Sequence, residues 1–256
     1  LLRQAQFRRA DSSEFCLAQA KASIAGKLRN SRYVLLRGAR DSHDGDDAAV
    51  LRHAADSIAI DLRNLEFAPD LDTVRGLEGN SARCYFSAMP RLIRPDQRSD
   101  FSPDGRSRRP PRDRANALLS FLYSMLMNDC RSALEVVGLD PQLGFLHAVR
   151  PGRAALALDL MEEFRAILAD RLALTLINRN QLKADDFVLR PGGAVQLQDD
   201  ARKALIVAYQ ERKQEIIEHP LLEQKISIGL LPKIQAHLLT RVIHGDTETY
   251  IPFLAR

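Results

Sequence analysis

The chain is predicted to be mostly α, a compact helical bundle lobe with one small β-hairpin. Three observations carry that prediction. Apolar residues recur at helical spacing in almost every segment; only one stretch alternates around a turn signal; and the composition is that of a globular protein. Of 256 residues 45% are apolar and 27% charged, with no tryptophan.

The elements follow in order. Asp11-Ser-Ser-Glu14 reads as a capping box, and Leu17, Ala20, Lys21, Ile24 and Leu28 continue at helical spacing. Asp41 to Asp47 is an acidic loop, after which Val50 to Leu65 forms a second helix. A third opens near Asp72, carries Glu78 and runs towards Phe86. Pro90 to Pro111 is a long irregular stretch rich in Arg, Asp, Ser and Pro, and loops of that length inside a domain are usually functional or mobile. From Arg112 a strong helix carries Ala117, Leu118, Phe121, Leu122, Met125 and Leu126, and residues 131–137 form another, stopped at Gly138. Pro151-Gly152 then separates His147 from a helix whose apolar stripe is Ala157, Leu160, Met161, Phe164, Leu168 and Leu172. Asp186 to Leu197 alternates around Pro-Gly-Gly and reads as a hairpin; helices resume over 199–218 and 231–244.

Lys and Arg number 37 against 33 Asp and Glu, a formal charge of +4, and the excess is clustered. Residues 1–40 carry nine basic residues against Asp11 and Glu14; residues 106–114 carry Arg106, Arg108, Arg109, Arg112 and Arg114 against Asp113 alone. Guanidinium forks suit phosphate oxygens, and neutralising a polyanion releases counterions. Composition alone favours the plainer reading, a solvated basic face. Cys16, Cys84 and Cys130 lie far apart, with no zinc spacing and no disulfide framework. They read as small buried hydrophobes in a cytoplasmic protein. The longest apolar runs are too short to span a bilayer, so no membrane role is expected, and Lys and Arg break the first segment as a signal peptide. The chain opens on Leu1, so a preceding segment is expected.

His147, with Asp159 and Glu162 downstream, and the separate block Gly76-Leu77-Glu78-Gly79 suggest chemistry. An imidazole and carboxylates from separate elements form the set that Mg²⁺ or Mn²⁺ accepts for work on phosphates. At about 100° per residue, Asp159 and Glu162 lie roughly 60° apart, away from the apolar stripe. Two acids on a wet helix face would give the same spacing. Two glycines flanking Glu78 each cost about 1 kcal/mol in a helix, which points to close approach of another backbone or a ligand. His43-Asp44 lacks the preceding histidine of an HD-type phosphohydrolase, and the other histidines read as structural.

Four blocks, in order along the chain, resemble the CRISPR adaptation integrases, the family of CRISPR-associated protein one. They are Gly76-Leu-Glu-Gly to Tyr85-Phe86, Arg109-Pro-Pro-Arg-Asp-Arg-Ala-Asn116 to Tyr123, Gly138-Leu-Asp-Pro-Gln-Leu-Gly-Phe-Leu-His147, and Leu156-Ala-Leu-Asp159-Leu-Met-Glu162-Glu-Phe-Arg165. The ending, from His219-Pro-Leu-Leu-Glu to Tyr250-Ile-Pro-Phe253, is most similar to the type I-C branch. The resemblance implies a metal-dependent DNA endonuclease and integrase in which protospacer 3′-hydroxyls attack the phosphodiester at the leader-repeat junction. It implies Mg²⁺ or Mn²⁺ held by Glu78, His147 and Glu162, with Asp159 beside them. Many relatives carry Asp in place of Glu162, so Asp159 and Glu162 both stand as candidate direct ligands. The same resemblance puts the face of Asn116 and Tyr123 near the site, with Arg150, Arg153 and Arg165 positioned for phosphate. The partners it implies are double-stranded DNA, CRISPR-associated protein two, a nuclease that trims protospacer ends, and a second copy of the full-length chain. It further implies that residues 1–10 are a linker left from an N-terminal β domain absent here, with 11–256 the catalytic helical domain. A non-enzymatic helical DNA-binding or scaffolding module is the competing expectation.

Overall fold

A computed structural model describes residues 1–255. Its spine is α2 (Ser13–Asp41), a 29-residue helix started by Ser12, whose hydroxyl accepts from the Phe15 amide at 3.2 Å. The cap is therefore Ser12, one residue later than the capping box suggested. On one side α2 packs against α3 (Gly45–Glu66) and α4 (Leu71–Ala88); on the other it meets the segment 155–170. Asp44 and Asp70 begin α3 and α4, their carboxylates taking the free amides of Asp46 and Asp47 and of Thr73. The acidic turn thus launches α3 five residues before the predicted start at Val50.

The Pro90–Pro111 stretch contains short 3₁₀ turns and one helical turn, α5 (Arg98–Phe101), with Phe101 buried. The two helices predicted over 112–137 are one, α6 (Arg114–Val136), ended where Gly138 takes a φ of +88°. The single helix predicted after Pro151-Gly152 is broken. It runs as α7 (Ala155–Met161), a 3₁₀ turn (Glu162–Phe164), a π-helical stretch (Arg165–Asp170) and α8 (Arg171–Asn178). π segments inside helices often occur at functional sites.

The predicted hairpin is present, β1 (Phe187–Leu189) paired antiparallel with β2 (Val195–Leu197). α9 (Asp199–Gln214) stops short of Glu218, because 216–219 is a strand. This β3 (Ile216–His219) pairs with β4 (Gln224–Ser227), so the fold carries two small hairpins and not one. α10 (Leu231–His244) has its predicted bounds and ends at Gly245, φ +88°. Residues 1–10, expected as a linker, contain α1 (Leu2–Ala10). Its buried Gln6 donates to the carbonyls of Asp140 and Leu143, at 2.9 Å each, and accepts from the Asp140 amide at 2.8 Å. That clasp fixes the loop leading to His147. Cys16 and Cys130 are buried as expected, while Cys84 is half-buried. Among the described residues no helix is long and apolar enough to cross a membrane.

Candidate functional site

Glu78 reaches the interior through ordinary helix geometry. Val74, Glu78, Ser81 and Tyr85 are spaced four, three and four apart, which is one face of α4, and Val74, Ser81 and Tyr85 are buried there. On α2, Ile24, Lys27, Leu28 and Ser31 form the facing stripe, and all but Lys27 are closed to solvent. Each helix therefore presents one charged side chain on its inward face. They meet: the Lys27 ammonium hydrogen-bonds Glu78 Oε1 and lies 2.8 Å from Glu162 Oε2.

The two glycines flanking Glu78 face open space, with nothing within 4 Å of where a Cβ would stand. The expectation of a closely approaching backbone fails there. The close approach is at Gly144 instead, where a Cβ would lie 2.8 Å from both the Ala155 carbonyl carbon and Asp159 Oδ2.

Asp159 and Glu162 are both buried, not on a wet face, and they differ in what holds them. Asp159 Oδ2 accepts from the amides of Phe145 and Leu146, at 2.6 and 3.0 Å; Oδ1 accepts from the His147 amide at 3.0 Å and meets His147 Nδ1 at 2.6 Å. A carboxylate already bound by three amides is an acceptor, so Nδ1 donates to it, and in the neutral ring Nε2 is the nitrogen with the lone pair. That nitrogen lies 3.9 Å from Glu162 Oε1. The chain bends around one carboxylate to aim one imidazole.

Glu162 sits where α7 gives way to the 3₁₀ turn. Its Oε2 is buried without an aligned hydrogen bond, yet Lys27 Nζ and Arg165 Nε lie 2.8 and 3.0 Å away. Burial would raise its pKa, but Arg165, Lys27 and His147 outweigh that and bring it down to about 2. Glu162 is therefore ionised, and one buried oxygen is held by charge rather than by directed donors, as a cation ligand would be. Glu78, His147 and Glu162 border one cleft of about 470 Å³, which Arg75, Arg108, Arg150, Arg153 and Arg165 also line. Among the described residues no three His, Cys, Asp or Glu stand close enough to hold a metal ion as they are placed; Lys27 fills the gap between the two carboxylates. The donor set itself fits a hard divalent ion: two carboxylates and one imidazole around a point where a cation already sits.

The remaining sequence-predicted residues divide. Arg108, Arg150, Arg153 and Arg165 reach the cleft. Arg106 turns inward, donating to Asn116 Oδ1 at 2.7 Å and Ser120 Oγ at 3.1 Å and stacking over Tyr123 and Phe86. Asn116 is fully buried, bonded to Asp113 and to the Gly105 carbonyl. Tyr123 donates to Asp170 at 2.6 Å, and its ring carries Arg165 on one face at 4.8 Å. These two side chains thus shape the arginines rather than lie open to the cleft. Arg114 donates to the Asp100 and Ala184 carbonyls, and Arg109 and Arg112 lie outside the cleft lining. Lys27, Arg75 and Gly144 were not singled out from the sequence. Lys27 did leave a signal, being a lysine in the middle of an apolar helical stripe.

A family model described as CRISPR associated protein Cas1 matches residues 1–211. The chain is 55% identical over 255 residues to CRISPR-associated endonuclease Cas1 1 of Moorella thermoacetica, covering 100% of this chain and 74% of that protein. It superposes on a CAS1 protein from Thermotoga maritima with a TM-score of 0.81 at 26% identity, over 97% of this chain and 70% of that one. A chain of a Cas6-RT-Cas1–Cas2 complex superposes with a TM-score of 0.82 at 25% identity, over 98% of this chain and 26% of that one.

Proposed function

This chain belongs to the Cas1 family of CRISPR-associated proteins, and from that premise we propose that it is a divalent-metal-dependent DNA endonuclease and integrase. In the reaction proposed, a protospacer 3′-hydroxyl oxygen attacks phosphorus at the leader-repeat junction. One P–O bond forms, the existing bond to the neighbouring 3′-oxygen breaks, and that oxygen leaves as a new 3′-hydroxyl. The observation that carries this reading is the convergence of Glu78, His147 and Glu162, from three separate elements, on one arginine-lined cleft.

Mg²⁺ or Mn²⁺ held by those three would polarise the phosphoryl oxygen and stabilise charge on the attacking and leaving oxygens. Asp159 fixes the histidine tautomer and orients the ring without itself being a ligand, its oxygens being spent within the protein. Arg108, Arg150 and Arg153 offer donors to the flanking phosphates, and Arg165 couples the cleft to Glu162. DNA is the proposed substrate, and Cas2, a second copy of the chain and an end-trimming nuclease are the proposed partners, working in the cytoplasm. Support for Cas2 comes from the likeness to a chain of the Cas6-RT-Cas1–Cas2 complex. The assignment of residues 1–10 as a linker to a preceding domain is likewise a proposal.

The test is Mn²⁺-dependent cleavage and strand transfer on a leader-repeat duplex. Glu78→Gln and Glu162→Gln should each lower the rate by about 100-fold or more with circular dichroism unchanged. DNA binding without turnover in wild type would favour the non-enzymatic module instead.

A further inference from the structure

Lys27 is 12% exposed and stands between two carboxylates, Glu78 from α4 and Glu162 from the turn after α7. Two acids this close in a half-dry cleft repel each other and lose hydration, and a cation placed between them offsets both costs. An ammonium on a four-carbon stem can be that cation. It engages one oxygen each of Glu78 and Glu162, the two carboxylates that a divalent ion would need, with His147 Nε2 3.9 Å from Glu162 Oε1. An ammonium and a divalent ion cannot share those oxygens, since both are cations and would lie within a few ångströms of each other.

We propose that Lys27 is a built-in competitor of the divalent ion, a positioning residue that holds Glu78 and Glu162 together until the ion loads and then swings out of the site. Lys27 borders a smaller hollow that it shares with Arg108 and Arg165, and those two arginines also line the 470 Å³ cleft, so the way out of the site leads past them. Once displaced, its ammonium lies on the side of Arg108 and Arg165, which border the same small hollow as Lys27, and joins them in binding phosphate. The proposal rests on the reading of Glu78, His147 and Glu162 as ligands, and it explains why they do not form a ligand cluster as placed.

The experiment measures Mn²⁺ affinity of the full chain by calorimetry and by the electron paramagnetic resonance of free Mn²⁺. Wild type, Lys27→Met, Lys27→Arg and a His147→Ala control are compared. Lys27→Met should bind Mn²⁺ about tenfold or more tighter, because a unit positive charge has left the ion's position. Lys27→Arg should bind no tighter than wild type, and His147→Ala should bind more weakly. A structural role alone would not raise affinity. Equal or weaker Mn²⁺ binding by a folded Lys27→Met overturns the proposal, while absence of binding in both wild type and Lys27→Met overturns the ligand assignment beneath it. Should Lys27→Met fail to fold, the wild type decides. Acylation of Lys27, followed by peptide mapping, should accelerate several-fold on saturation with Mg²⁺, and an unchanged rate overturns the displacement.

Discussion

At the residue scale, the site depends on a few side chains whose roles are not interchangeable. Asp159 accepts from three amides and from the His147 ring, and all of these bonds serve to aim His147. Asp159→Asn keeps the shape but sets an amide donor against backbone donors. Activity should fall about 10- to 100-fold, as for other partners of a ligating histidine. The pH-rate profile and Mn²⁺ affinity should both change, which a purely structural loss would not produce. Gly144 is needed for a different reason. A methyl there would meet Ala155 backbone and Asp159 Oδ2 at 2.8 Å, and neither can retreat without breaking the loop. Gly144→Ala should cost about 1–3 kcal/mol in urea unfolding, the range for overpacking. A cost near zero would show that the 138–147 loop gives way freely.

At the scale of elements, the 155–178 segment matters most. A continuous α-helix would keep the expected 60° between Asp159 and Glu162 on one regular face, at about 100° per residue. The 3₁₀ turn and π stretch instead let Asp159 serve the loop amides while Glu162 meets α2, α4 and Arg165. The 102–113 stretch divides similarly. Arg106 is a strut, held by Asn116, Ser120 and two rings, whereas Arg108 reaches the cleft. Arg106→Ala should therefore lower thermal stability. An Arg108→Ala, Arg150→Ala double variant should keep the melting temperature and reduce the salt slope of DNA binding by about two, roughly one for each phosphate no longer neutralised. An unchanged slope would place the DNA path elsewhere.

At the scale of the whole molecule, distant segments are joined by a few buried polar groups. Glu163, next to the site but facing away from it, accepts from Tyr250, the Phe253 amide and Gln235, and Asn30 holds the Glu163 and Phe253 carbonyls at 2.7 and 2.8 Å. The 250–255 stretch is thereby stitched to α2 and α10. Asp47, at the start of α3, anchors the 89–98 stretch through Arg91 and Arg98. Burial raises its pKa, yet Arg98 and Arg91 outweigh that and leave it below the ordinary aspartate value. A folded value below the unfolded one means that its stabilisation is present above the unfolded pKa of about 4 and is lost as the pH falls through the folded value. Asp47→Asn should lower unfolding free energy at pH 7 by about 1.5–3 kcal/mol, the range for hydrogen bonds to charged groups. The gap to wild type should close in acid, and a gap constant with pH would refute the ion-pair origin.

Local periodicity and turn chemistry determined which stretches are helical, because a 3.6-residue stripe and a cap are readable within about a dozen residues. Hence α3, α4, α10 and the first hairpin stand near where they were predicted. The ordered motif blocks likewise determined the family. Only tertiary structure decided the rest. Whether 114–136 is one helix or two, and whether 155–178 is regular, depends on what packs beside each turn. The Ile216–Ser227 hairpin has no alternating pattern strong enough to declare itself. Lys27 is 51 residues from Glu78 and belongs to a different helix. No spacing rule joins them; their meeting is set by how α2 and α4 cross, and so by the burial of both apolar stripes.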